Sequence, residues 1–222
     1  MKKFTAILCA IALLCSVCVT ASAEGKFSHA KIDGNFYSSE CFGVDCLLGD
    51  DWYVANDEEL AALVGATKDL ISDENLSALI EQSGYFYDFY AEKQTETSSE
   101  SLNICVEKFD NVLQSLYVKS SSKEAFISEL VEELESEGYF DGLLDSVGLE
   151  EGAISVGKIP FCGEDTPCIF ITGTIMGIPL YETLVYIVCD DCMGVITASS
   201  IFEDTTADIL GCFSDYEEVA AA

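Results

Sequence analysis

The chain has no arginine, and its ten basic residues are all lysines set against 40 aspartates and glutamates, for a net charge of −30. Clustered Lys or Arg is what neutralises phosphate and holds a protein on nucleic acid or on anionic lipid. The bidentate guanidinium usually aimed at phosphates and carboxylates is also missing. A nucleic-acid, nucleotide or phospho-substrate function is therefore disfavoured. Histidine is nearly absent too: His29 is the single copy, in the polar segment Lys26–Lys31. It reads as an exposed, unpaired side chain, which leaves nucleophilic acyl transfer without a base. No EF-hand spacing occurs; Asp33-Gly34-Asn35 and Asp141-Gly142 look like turns, while Asp50-Asp51 and Asp190-Asp191 read as solvated turns or weak Ca²⁺ sites. Among 40 carboxylates no pair stands out as a glycosidase couple.

What is present begins with a targeting signal. Lys2 and Lys3 precede an almost unbroken apolar run from Phe4 to Val19, and Ala21-Ser22-Ala23 then gives an A-x-A site before Glu24. The run is short beside the ~20 residues that span a bilayer. Cys9, Cys15 and Cys18 follow Leu8, Leu14 and Val17, so none fits a lipid-attachment site that needs small residues before the cysteine. Residues 1–23 are thus expected to be a cleaved secretory signal, with no later membrane span and a secreted, extracellular destination. All 40 acidic residues remain beyond it with eight lysines, a net charge of −32. Such acidity suits a cationic partner, loosely bound divalent cations or, more simply, solubility through self-repulsion. Half the chain is apolar, which favours a folded domain over disorder.

The expected organisation is a flexible segment over 24–34, one domain over 35–217 and a flexible tail over 218–222. Residues Asn35 to Ala55 read as strand, turn and strand, with Cys41 to Leu48 extended. Asn56 with Glu59 three residues on is a capping-box start for a helix from Glu58 to Val64, closed by Gly65. A second helical stretch follows from about Lys68 to Gln82. Tyr85 to Lys93 and Leu102 to Phe109 read as a hairpin. The aromatic run Tyr85 to Tyr90 is either a half-buried strand or a glycan-stacking platform. From Ser121, with Glu124, the apolar residues Phe126, Ile127, Leu130, Val131 and Leu134 recur at helical spacing until Gly138. The last third reads as a meander, with strands at Ile154–Pro160, Cys168–Ile175, Leu180–Cys189 and Cys192–Ile201, then a helix from about Thr205 to Tyr216. The expected class is α+β: an antiparallel sheet of about six or seven strands with helices packed on its faces.

Three groups of residues carry a resemblance. They are Asn35-Phe36-Tyr37-Ser38 through Gly49-Asp50-Asp51-Trp52-Tyr53 and Glu58-Glu59-Leu60, then Ile171-Thr172-Gly173 with Gly177-Ile178-Pro179-Leu180-Tyr181-Glu182-Thr183, and Val195-Ile196-Thr197. Together they resemble a group of secreted proteins of anaerobic Gram-positive gut bacteria, similar in element order to the PsbP/Mog1-like α/β sandwiches. The resemblance implies a fold and an extracellular compartment rather than a reaction, and it assigns no functional residue. The many cysteines and the missing lipid site depart from the group.

Eight cysteines lie beyond the signal: Cys41, Cys46, Cys105, Cys162, Cys168, Cys189, Cys192 and Cys212. An even number in a secreted chain makes all eight candidates for disulfides. Cys41 and Cys46 share one region, Cys162 and Cys168 flank a hairpin loop, and Cys189-Asp190-Asp191-Cys192 looks like a stapled two-residue turn. A zinc site or a redox couple at that C-x-x-C remains open. A thioredoxin-type cysteine sits at a helix N-terminus that lowers its pKa, whereas this motif falls between strands and encloses two aspartates. The reading is a secreted, non-enzymatic binding or interaction module with no cofactor and an extracellular ligand or protein as partner; its oligomeric state is not legible. The alternatives are weak metal binding through cysteines or acidic turns, and thiol–disulfide chemistry at Cys189 and Cys192. Secretion in a bacterial host should yield a mature protein whose N-terminal residue is Glu24, read by intact mass and N-terminal sequencing; a retained leader would sink the cleavage assignment.

Overall fold

The computed structural model describes residues 28–70, 86–94, 98–108, 122–136, 149–189 and 192–217. Eleven strands and three helices lie in these residues, in two antiparallel sheets. The smaller sheet has the order β1 (Lys31–Asp33), β2 (Phe36–Ser39), β3 (Val44–Leu47) and β11 (Phe213–Asp215). The larger has the order β4 (Tyr53–Val54), β5 (Phe86–Gln94), β6 (Ser99–Lys108), β10 (Cys192–Ile201), β9 (Ile178–Val188), β8 (Glu164–Ile175) and β7 (Leu149–Phe161). The helices are α1 (Asp57–Leu70), α2 (Lys123–Ser136) and α3 (Thr206–Leu210). The chain is therefore richer in strand than the α+β expectation, and it carries a four-stranded second sheet where one sheet was expected.

Turn chemistry sets the meander. Cys162 and Gly163 have φ of 47° and 77°, and Met176 and Gly177 have 53° and 75°. Two successive left-handed residues make the tight hairpin turn whose twist matches that of the flanking strands. Each fixes its register, so Phe161 faces Glu164 and Ile175 faces Ile178. The turn expected at Cys162–Asp165 is tighter than its four residues, and β8 starts at Glu164.

Alternation then sorts the side chains. Ile196 and Ala198 of β10 point to the same side as Leu102 and Ile104 of β6 and Val185 of β9. They form one core with Tyr37, Val44, Cys46 and Phe213 of the smaller sheet. Tyr37 stacks on Phe89 at 5.1 Å and Phe161 on Phe213 at 5.2 Å, so aromatic pairs close the sandwich at two points. On the other face α2 packs against β7 and β8, with Phe126 edge-on to Tyr186. In the aromatic run from Phe86, Phe89 is part of the inter-sheet core with Phe86 packed against it, and Tyr87 and Tyr90 are buried on the opposite face, so the run reads as a buried strand rather than a stacking platform. Tyr85 lies outside the described residues.

Several local expectations are corrected. Helix α1 runs through Gly65, because glycine permits a left-handed stop without imposing one and good helix formers follow it. The rest of the second helical stretch, 71–82, lies outside the described residues, as does Gly138. At the start of helix α2 the Ser122 Oγ accepts the Ala125 N–H at 3.2 Å; Ser121 lies outside the described residues. The closing helix ends at Leu210. Gly211 is its C-cap, still in helical conformation, and Phe213 enters the inter-sheet core as the first residue of β11, opposite Cys46. Strand β1 lies inside the segment expected to be a flexible lead-in. Among the described residues no helix is long and apolar enough to cross a membrane.

The capping box is present as expected. Asn56 Oδ1 accepts the Glu58 and Glu59 N–H groups at 3.0 and 3.1 Å, and Glu59 Oε2 accepts the Asn56 N–H at 2.9 Å. Asn56→Ala should therefore cost about 1 kcal/mol in chemical denaturation. An unchanged midpoint would show that α1 is held by its packing alone.

Candidate metal centre

The chain brings three thiols to one end of the sandwich. Cys41 lies in the turn joining β2 to β3, which Gly43 closes with φ of 70°. Cys189 follows β9, and Cys192 opens β10. The last two form the final pair of their hairpin, with the Cys189 N–H donating to the Cys192 carbonyl at 3.0 Å. The three sulfurs lie within 4.8 Å of one another, and the Cys41 and Cys192 sulfurs are 4.0 Å apart. Cys189 and Cys192 are buried, and Cys41 is half-buried. Asp190 and Asp191 lie outside the described residues.

No pair of the eight cysteines is bonded, and 4.0 Å is about twice an S–S bond. The separation does suit metal coordination: thiolates about 2.3 Å from a zinc lie roughly 3.8 Å apart at the tetrahedral angle. The other expected neighbours do not meet. Cys41 is separated from Cys46, which sits within β3 opposite Tyr37 and Phe213. Cys168 faces Gly157 rather than Cys162, because the hairpin turn is only two residues. Burial raises the Cys46 thiol first, with Cys212 and Cys162 as the neighbours that add to the rise, while Cys105 sits on β6 opposite Val195 and Tyr87.

Electrostatics separate the available chemistries. Burial pushes the Cys41 thiol up to about 12, and Cys189 adds to the rise; the Cys192 thiol and the Ser28 backbone N–H oppose it. The Cys192 thiol is raised far more, first by its hydrogen bond with Cys189, then by burial and by the charges of Cys189 and Cys41. With no cation among these causes, the Cys41 and Cys192 thiols stay protonated at neutral pH. A redox couple needs the opposite, a thiolate stabilised by a helix N-terminus or a positive neighbour. A bound metal ion would supply the missing positive charge and deprotonate its ligands.

Two further sites escaped sequence reasoning. His29 is not unpaired: its Nδ1 lies 2.9 Å from Asp88 Oδ1, and its ring lies 5.2 Å from Phe86. The two residues are 59 positions apart, so no local spacing announces the pair. The second is Glu182, buried on β9 beneath the face opposite the smaller sheet. Ser199 Oγ donates to its Oε1 at 2.9 Å, and Oε2 has no partner among the described residues. An alternating strand with one glutamate among apolar neighbours looks like any strand with an outward-facing acid, so its burial left no signal.

The chain matches no known protein-family model and no curated protein.

Burial raises the Glu182 carboxyl from 4.5 to about 8. Between those values the folded chain keeps a proton that the unfolded chain releases, so stability falls as pH rises through this window. The slope is at most about 1.4 kcal/mol per pH unit. Glu182→Gln keeps the Ser199 hydrogen bond without the titration. Its urea midpoint should match the parent near pH 5 and exceed it at pH 8; parallel pH profiles would show that Glu182 does not titrate in this window.

Proposed function

We propose that this chain is a secreted, non-enzymatic binding module whose cargo is a soft or borderline cation, Zn²⁺ or Cu⁺, held by Cys41, Cys189 and Cys192. The observation that carries this reading is the convergence of three sulfurs within 4.8 Å from segments up to 151 residues apart. Thiolate sets select such ions over Mg²⁺ or Ca²⁺, which prefer oxygen. The acidic surface supports the reading by concentrating cations near the protein. Three protein ligands leave a position for solvent or an exchanging partner, which suits a carrier better than a closed structural site. The finer α+β sandwich assignment belongs to the same proposal, supported by α2 lying on β7 and β8.

Metal entry must displace protons from thiols whose affinity for them is raised, so binding should weaken steeply as pH falls. Native mass spectrometry of the zinc-loaded and Cu⁺-loaded protein should show a single equivalent that denaturation releases. Cys41→Ser and Cys192→Ser should each lose it, whereas Cys212→Ser should retain it. A protein that instead runs about 2 Da light and fails to alkylate at Cys189 and Cys192, or one that binds no metal while fully reduced, would overturn the proposal. The first outcome favours a stapled turn, the reading that the hydrogen-bonded Cys189–Cys192 pair independently supports.

A further inference from the structure

A groove of about 680 Å³ runs between the N-terminal segment, the start of β5 and helix α1, a volume typical of small-molecule sites. Ile32, Leu60, Ala61 and Phe86 give it apolar walls, and Ile32 is 40% exposed there. Its acidic groups are Asp57, in the first turn of α1, and Asp88. Asp88 stands at a β-bulge, where the pairing of β5 with β6 skips from Tyr87 to Phe89. Bulges re-aim side chains, and this one presents a carboxylate that is only 2% exposed. That carboxylate is held by His29 Nδ1 at 2.9 Å, the Tyr37 hydroxyl at 3.1 Å and the Ala30 N–H at 3.4 Å. The carboxylate is thus fixed in place before any ligand arrives.

We propose that this groove binds a small organic amine with an apolar body. Charge decides the class. Among the described residues two carboxylates and no lysine line the groove, and its one basic side chain, His29, is already paired with Asp88; in a chain of net charge −30, anionic ligands are repelled. An uncharged apolar ligand would fill the walls and make no use of Asp57. An ammonium group meets Asp57 at the rim, its alkyl chain covers Ile32 and Leu60, and the Phe86 ring offers an aromatic wall suited to a cation. The site shares no lining residue with the thiol cluster.

Hexylamine, 1-hexanol and hexanoate separate the possibilities by calorimetry or chemical-shift titration on the full mature chain. Hexylamine should bind most tightly and hexanoate not at all. Asp57→Asn should weaken hexylamine roughly tenfold while leaving 1-hexanol unchanged. Ala61→Trp, an exposed substitution that fills the groove, should abolish both, with the circular dichroism spectrum unchanged. The exposed Glu203→Gln, a distant loss of one charge, should have no effect. Equal binding of amine and alcohol would overturn the proposal. So would an equal loss in Glu203→Gln, which would mean counter-ion attraction only, or binding of a lysine-rich peptide with hexylamine excluded.

Discussion

Strand β10 is hydrogen-bonded along both edges, to β6 on one side and β9 on the other, and its first nine residues are buried. Every other placement follows from this double pairing. A buried backbone must have its N–H and C=O groups paired, and ten register positions with β6 and nine with β9 achieve that for the middle of the larger sheet. One face of the strand then builds the core shared with the smaller sheet, and the other faces the side on which α2 lies. The strand begins at Cys192, so the same register that makes the core also brings the C-x-x-C motif to the mouth of the sandwich. The turn carrying Cys41 lies against that mouth.

What could be read in the sequence was local. The capping box at Asn56 and Glu59, the β8–β9 turn at Met176-Gly177 and the strands of the meander follow from neighbouring residues, and the structure has them. What could not be read was long-range. Cys41 meets Cys192 across 151 residues and His29 meets Asp88 across 59, distances at which residue spacing carries no information. The smaller sheet is half legible for a related reason. β2 and β3 fall in the stretch that reads as strand, turn and strand, but β1 and β11 are three residues long, too short to show alternation, and β11 lies within a segment that also fits a helical period, so nothing local marks a separate sheet.

The cysteines and the charge act on the same problem from different sides. A chain with 40 acidic residues and ten lysines repels itself when folded. Burial of cysteine as a small apolar side chain adds to the core, as Cys46 and Cys168 do. The three sulfurs at the mouth of the sandwich differ from these two because they crowd one another. Crowded, protonated thiols are poor neighbours for negative charge but good ligands once a cation removes their protons.

The bulge at Asp88 has a consequence for how this strand tolerates change. Phe86 and Tyr87 pair with Val106 and Cys105, and Phe89 pairs with the very next residue, Ile104. Asp88 is thus an addition to a ladder that is regular without it. Deleting that one residue would leave every other pair of β5 in register and every side chain on its present face. The fold would accept the loss as a shortened loop does. What would vanish is the buried carboxylate, and with it the anchor that ties the N-terminal segment at His29 and Ala30 and the hydroxyl of Tyr37 to the larger sheet.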